Sequence, residues 1–204
     1  MKFSIIIPAH NSEDYLWRAL ESIRRQSFTD YELIVVCDAC TDDTKALAKM
    51  YTDKVIITDY GNDGLARNAG MDAATGDWLL FMDDDDWWLH DYVLAILAEH
   101  CTADADFDVL CFGFIMKGIG PCYPLRTNGM IWPNVWSKCW RRSFTDAFRF
   151  KKIDMASDLQ FVNDVIEGKT VRFGFLDSHL YFYNYMRAGS QTEIASRKES
   201  RDGT

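Results

Sequence analysis

The chain has 204 residues, 48% hydrophobic and 14% aromatic, which excludes a disordered chain and suffices for one sizeable core. Lys and Arg number 22 against 31 Asp and Glu, a formal charge of −9, so the basic stripe of a nucleic-acid-binding surface is excluded. No stretch approaches the ~18 apolar residues of a membrane span, and MKFSIIIPAHNSEDYL turns polar too early for a signal peptide.

Phe3–Ile7 is a continuous apolar run ending at Pro8, as expected of a strand buried on both faces. Asp14–Arg25 has the helical period, with Asn11 or Ser12 as its cap. YELIVV (31–36) is a second strand, and Thr41-Asp42-Asp43-Thr44 opens a second helix with acidic residues where the dipole favours them. A strand at 54–58, a helix at 64–73, a strand at 78–82, a helix at 91–100 and a strand at 109–115 follow. This alternation implies an α/β fold: a mostly parallel sheet with helices on both faces. The Gly- and Pro-rich KGIGPCYPLRTNGMIWP reads as a loop or short edge strands, and residues 134–142 as one or two helical turns. Residues 158–167 form a helix closed by Gly168, followed by short strands at 171–176 and 179–185. The expected division is 1–116 as one half of the domain, 117–192 as the other, and 193–204 as a polar tail.

Six cysteines match no zinc spacing, and Cys37-x-x-Cys40 lacks thioredoxin-like surroundings, so they read as buried reduced thiols of a cytoplasmic protein. His90, His100 and His179 read as structural.

In open α/β sheets, ligands sit beyond the carboxyl ends of the strands. Here these ends read Pro8-Ala9-His10-Asn11, Cys37-Asp38 and Asp83-Asp84-Asp85-Asp86. Adjacent carboxylates at ~4–6 Å repel by about 3 kcal/mol at an effective dielectric near 20. A hard divalent cation, Mg²⁺ or Mn²⁺, would relieve them. The alternative is a helix cap, with Asp86 or Asp91 in that role.

FSIIIPAHNSEDYLWRALESIRRQSFTDYELIVVCDACTDDT resembles the opening of family 2 glycosyltransferases, and GLARNAGMDAATGDWLLFMDDDDWW resembles their middle section, which ends in a D-x-D motif. NVWSKCWRRSF, SDLQFVNDVIEGK and YFYNYMRAGSQT resemble later family segments, in the family's order. The resemblance implies a GT-A (Rossmann-like) fold with a C-terminal acceptor-side extension. It implies a nucleotide-diphosphate-sugar donor, with a uridine diphosphate the best match, and a divalent metal. By the same resemblance Pro8, His10 and Asn11 would line the nucleotide pocket and Asp38 would bind the base. Arg67 and Asp84 would contact the nucleotide-sugar. Asp83 would lie near the ribose and metal, and Asp85 would be the principal metal ligand. Arg187 and Ser190 would reach the diphosphate from a C-terminal loop, and Asp158 falls at the catalytic Asp. The family often has Tyr, Asp and Glu where this chain has His10, Cys37 and Ser157, so Asp158 lacks the acid that usually precedes it.

These roles imply an inverting hexosyltransferase with Asp158 as general base. The expected setting is surface polysaccharide or glycan biosynthesis, with a carbohydrate or lipid-linked acceptor. Trp132 and Trp136 are either an acceptor platform or core residues. Lys138, Arg141 and Arg142 are either a basic contact for anionic headgroups, placing the protein peripherally on the inner face of a membrane, or a solvated helix face. The rival readings are a non-catalytic nucleotide-sugar-binding module, a phosphatase, and a sugar-nucleotide pyrophosphorylase. The last would need a Gly-rich basic loop where the chain has PAHNSEDYL.

Overall fold

The computed structural model describes residues 2–153, 156–168, 170–188, 190 and 193. The tail beyond Glu193, and Gly189, Gln191 and Thr192 of the last resembling segment, lie outside the described residues.

Four apolar runs form strands β1 (Phe3–Ala9), β2 (Tyr31–Asp38), β3 (Val55–Thr58) and β4 (Trp78–Phe81). They pair in parallel in the order β3-β2-β1-β4. Helices α1 (Leu16–Arg24), α2 (Thr44–Lys49), α3 (Asp63–Ala73) and α4 (Val93–His100) connect or follow them. Alternation along β1 decides the layers. Phe3, Ile5 and Ile7 pack with Leu16, Leu20 and Ile23 of α1 and with Val93 and Leu97 of α4. Ile6 faces the other way, into a second core with Ala66 and Met71 of α3. There α3 lies so close to the sheet that a Cβ on Gly70 would stand 2.3 Å from Ile6 Cγ2. No larger residue fits without displacing the helix.

The capping differs from expectation. Helix α1 starts at Leu16 and no side chain caps it; the Ser12 carbonyl accepts from Tyr15 and Leu16 N–H instead. Asn11 is committed elsewhere, its Oδ1 accepting the Thr41 N–H at 2.8 Å. Asn62 caps α3 by accepting from the Leu65 N–H.

The sheet continues through β8 (Lys138–Arg141), β6 (Val109–Met116), β9 (Phe173–Tyr183) and the two-residue β5 (Trp87–Trp88), with β7 (Gly120–Cys122) beside β6. Residues 134–142 are therefore not helical turns as expected. Four of them form β8, inserted antiparallel between β4 and β6, and only α5 (Arg142–Thr145) makes a turn of helix. The expected strands at 171–176 and 179–185 are one strand, β9, parallel to β6 with an irregularity beside Gly113. The sheet is thus parallel over its first four strands and mixed beyond them. Helix α6 (Ser157–Gly168) packs on the second core, Phe161 stacking on Phe150 at 4.1 Å and meeting Trp140 edge-on at 5.4 Å. Burying rings of this size stabilises by about 2–3 kcal/mol each, so the start of α6 is held firmly against the sheet.

The six cysteines are free thiols, five of them buried, as expected. Among the described residues no helix is long and apolar enough to cross a membrane.

Candidate active site

The carboxyl ends of β1, β2 and β4 open into a cleft of about 430 Å³. Pro8, His10, Asp38, Arg67, Asp83, Asp84, Asp85, Arg187 and Ser190 all line it, as do Tyr15, Asn62, Asp63, Tyr183, Asn184 and Met186, which sequence reasoning missed. The strand-end rule, applied to β9 as a parallel partner of β6, would have found Tyr183 and Asn184. Asp63 lies one helical turn before Arg67, a spacing that signals an ion pair. Asn11 stands exposed at the rim.

Each carboxylate of the DDDD run has its own partner, drawn from a different segment. Asp83 Oδ1 accepts from Arg67 Nη2 at 2.7 Å. Asp84 Oδ2 accepts the His10 N–H at 3.2 Å. Asp85 Oδ2 accepts from Arg187 Nε at 2.5 Å, and that guanidinium lies 4.0 Å over the Tyr15 ring. Asp86 is fully buried and accepts from the Tyr181 hydroxyl at 2.7 Å and the Asn184 N–H at 2.8 Å. Asp86 is thus no helix cap; it ties β9's end to the acidic turn. Asp91 does not cap α4 either, whose first turn has no side-chain cap. Burial pushes the Asp83 carboxyl up to about 7, with Asp158 and Asp85 adding to the rise and Arg67 opposing it. Burial and the Asp85 charge push Asp84 up to about 6.

Asp38 is buried and fully used. Its Oδ1 accepts from the Thr58 hydroxyl at 2.9 Å and the Tyr60 N–H at 2.6 Å, and its Oδ2 from the Asn62 N–H at 2.8 Å. It therefore builds the cleft wall between β3 and α3. The His10 ring stands against it, Nδ1 at 2.7 Å from the Asp38 carbonyl.

Arg67, 3% exposed, joins the acidic turn after β4 to the start of α6. Its Nη1 contacts Asp63 at 2.6 Å and Asp158 Oδ1 at 3.4 Å, while its Nη2 holds Asp83. Ser157, where the family often has Glu, donates its hydroxyl to Asp63 Oδ2 at 2.9 Å, so Asp63 is tied to the start of α6 as one of three carboxylates at this guanidinium. Arg67 Nε is buried with no acceptor among the described residues. Asp158 stands beside the cleft, behind Arg67, with Oδ2 accepting the Val135 N–H at 3.1 Å. Burial raises its pKa, Asp63 adds to the rise, and Arg67, the Val135 N–H and Lys138 oppose it.

Among the described residues, four non-glycine residues adopt the left-handed conformation: Asn11 (φ 47°), Ala39 (φ 50°), Ala156 (φ 62°) and Met186 (φ 57°). They follow β1, β2 and β9 or precede Asp158, so each belongs to a loop at the cleft. Strain of this kind, of order 1–3 kcal/mol per residue, concentrates where loops are held in a set shape for ligands.

Two expectations are corrected. Trp136 is 5% exposed and stacks on Tyr181 at 4.7 Å with Phe114 edge-on, so it is a core residue and no acceptor platform. Trp132 is half-buried, with Nε1 donating to the Tyr123 carbonyl and Arg126 over its ring. Lys138, Arg141 and Arg142 form no basic face. Lys138 is buried, Arg141 stacks on Trp78 at 4.4 Å and donates to the Ala105 and Phe107 carbonyls, and Arg142 donates to the Gly76 carbonyl.

Five carboxylates line the cleft against two guanidiniums, so an anionic ligand would need a cation beside it. Among the described residues no three His, Cys, Asp or Glu side chains converge as a ready-made metal cage. Asp85 and Asp83 have the donor chemistry for a hard ion held by one or two carboxylates and completed by a ligand's phosphates.

The family model described as "Glycosyl transferase family 2" matches residues 4–166. The chain belongs to that family. Among family 2 relatives, "Glycosyltransferase GlyA" of Streptococcus pneumoniae serotype 4 is 25% identical over 97% of this chain and 32% of its own length. This chain thus spans about a third of that relative. TarS of Staphylococcus aureus, solved as residues 1–349 in complex with UDP-GlcNAc, superposes with a TM-score of 0.80 at 27% identity, over 95% of this chain and 61% of that one. The mannosyltransferase PcManGT of Pyrobaculum calidifontis, solved with GDP-Man and Mn²⁺, shares the fold at a TM-score of 0.74 and 15% identity, over 96% of this chain and 60% of its own. The GT-A-like architecture expected of family 2 is therefore the architecture of this chain.

Proposed function

We propose that the chain transfers a sugar from a uridine-diphosphate sugar to an acceptor hydroxyl, with inversion, in the assembly of a cell-surface glycan. The observation that carries this reading is the Arg67 bridge. It puts a half-buried aspartate at the start of α6, Asp158, next to the acidic turn after β4. The likeness to TarS, solved with UDP-GlcNAc, supports the choice of donor.

On this reading the cleft between Pro8, His10 and Asp38 receives the nucleoside, within the donor half at 1–116. Residues 117–192 form the acceptor half. Asp85 and Asp83 would hold a divalent ion, Mn²⁺ or Mg²⁺, which when bound would supply Lewis-acid stabilisation of charge on the diphosphate. Arg187 and Ser190 contact the diphosphate from the segment after β9. Asp158 takes the proton of the attacking hydroxyl, and burial, by raising its pKa above the ordinary carboxylate value, makes it a stronger base. Arg67 keeps Asp158 and Asp83 at fixed separation, which sets the line of attack. One base and one displacement invert the anomeric centre. The acceptor is a carbohydrate or lipid-linked hydroxyl, with Trp132 at its edge.

The test compares wild type with Asp158→Asn. Wild type should release nucleotide diphosphate from a UDP-sugar only with Mn²⁺ or Mg²⁺. Asp158→Asn should lose at least ~100-fold in rate with donor affinity retained. Donor binding without turnover in the wild type would instead make the chain a binding module. A product of retained configuration would refute the single-displacement mechanism.

A further inference from the structure

Lys138 lies in the interior of the sheet, on β8 opposite Cys111 of β6, and is 1% exposed. Lysine is almost never fully buried unless paired with an acid. Among the described residues, no carboxylate lies within ion-pair distance of this ammonium. All three of its donors go to one short turn instead: the Trp132 carbonyl at 2.7 Å, the Asn134 carbonyl at 2.5 Å and Asn134 Oδ1 at 3.2 Å. Burial pushes the ammonium down to about 8, opposed by Cys111 and Asp158, so it is charged at neutral pH. An apolar side chain of similar length would avoid that desolvation cost and often serves stability as well or better. The charge therefore calls for a role besides filling space.

The turn it holds leads directly to the proposed base. Val135 follows Asn134, and its N–H donates to Asp158 Oδ2 at 3.1 Å. The Val135 carbonyl accepts from Trp140 Nε1 at 3.0 Å, and the Ser137 hydroxyl donates to Asn134 Oδ1 at 2.5 Å. Residues 132–135 are thus fastened to β8 on both sides of the one N–H that fixes Asp158 Oδ2, while Arg67 takes Oδ1. We propose that Lys138 is a positioning residue for the transferase reaction: its ammonium clamps the 132–135 turn so that the Val135 N–H holds Asp158 ready to receive the acceptor proton. This rests on the reading of Asp158 as the base. The charged groups around Asp158 are Arg67 and Asp63 from α3, Asp83 after β4 and Lys138 from β8. Removing Lys138 takes away one of the two cations that favour its ionised form.

The experiment uses the full chain with Mn²⁺ and whichever of UDP-GlcNAc, UDP-Glc and UDP-Gal the wild type hydrolyses fastest. Lys138→Met keeps the side-chain length and drops the charge. Three readouts are taken: UDP affinity with Mn²⁺, kcat for nucleotide release, and the acid limb of the kcat–pH profile. Lys138→Met should bind UDP within twofold of wild type. Its kcat should fall by about ten- to a hundredfold. Its acid limb should move to higher pH by about half a unit or more, because a base that has lost a neighbouring cation ionises later. Asn134→Ala, which removes one acceptor of the clamp at a half-buried position, should change kcat and the acid limb in the same direction by less. Unchanged kcat and an unmoved acid limb in Lys138→Met, with Asp158→Asn dead, overturn the role of Lys138 alone. If Lys138→Met does not fold, Asn134→Ala decides on the same readouts, and an unmoved limb there overturns the role. Nucleotide release in Asp158→Asn equal to wild type would overturn the base assignment, and the positioning role with it.

Discussion

Replacing Arg67 with Met tests the centre of the site without reference to any substrate. The guanidinium is buried and contacts Asp63 at 2.6 Å, Asp83 at 2.7 Å and Asp158 at 3.4 Å. Removing one partner of a buried ion pair costs about 3–5 kcal/mol, because the charge left behind stays desolvated. Three carboxylates are left here, but they can escape the cost by protonating, so the penalty depends on pH. Asp83 already titrates near 7 with Arg67 present, and burial raises Asp158 as well. Without the guanidinium, the carboxyls around it titrate higher in the folded chain than in the unfolded chain, where Asp sits near 3.9. Their folded values being raised, the deficit is full when the pH lies above them and is relieved as the pH falls toward the unfolded value. Urea unfolding of Arg67→Met against wild type should therefore show a deficit of about 3–5 kcal/mol at pH 8 and about half of that or less at pH 5. A deficit below about 1 kcal/mol at pH 8, or one that does not shrink on acidification, would refute the account of Arg67 as the counter-ion of this cluster.

Three further outcomes follow from other parts of the molecule. Glu32, buried near the start of β2, accepts from the Ser4 hydroxyl, the Thr75 N–H and hydroxyl, the Gly76 N–H and Lys54; burial alone would raise its carboxyl, but these bonds outweigh it and hold it at about 2. Its folded value being lowered, Glu32→Gln should cost about 3 kcal/mol in urea at pH 7, and the gap should shrink to about half of that at pH 3; a gap independent of pH would contradict the assignment. Asp85→Asn should abolish the Mn²⁺-dependent part of the rise in melting temperature that UDP gives, and an unchanged rise would remove Asp85 from the metal site. Ala39→Gly should stabilise by about 1 kcal/mol, since Ala39 is held at φ 50°, and a loss of stability in thermal unfolding would show that its Cβ packs more than it strains.

Strands β1, β2 and β4 were readable because a strand buried on both faces leaves an unbroken apolar run, while the edge strand β3 was readable from its short β-branched VIIT run alone. The acidic end of β4 was readable for a related reason: charge directly after such a run has nowhere to go but the sheet's rim. The strand β8 was not. SKCWRR has no clear period, and its lysine argued for a surface, so the segment read as a helix with a basic face. Only the tertiary structure supplies the three oxygens that let Lys138 sit inside. The same limit hid Tyr15 and the tie of Asp63 to Ser157, since Arg187 and Ser157 are remote in sequence and meet them only once the chain folds. Trp136 was ambiguous because an indole serves a sugar platform and a core equally well, and only Tyr181 and Phe114 around it decide for the core.

The antiparallel β8 has a consequence for how the chain can be divided. It hydrogen-bonds β4 on one side and β6 on the other, so a strand from beyond residue 116 is inserted between two strands from before it. A fragment stopping at residue 116 would keep β1 to β4 yet expose β4, apolar on both faces, as a bare edge. Such an edge recruits other chains. Gene-splitting or domain-grafting strategies that cut between the halves should yield aggregates rather than a working half-enzyme.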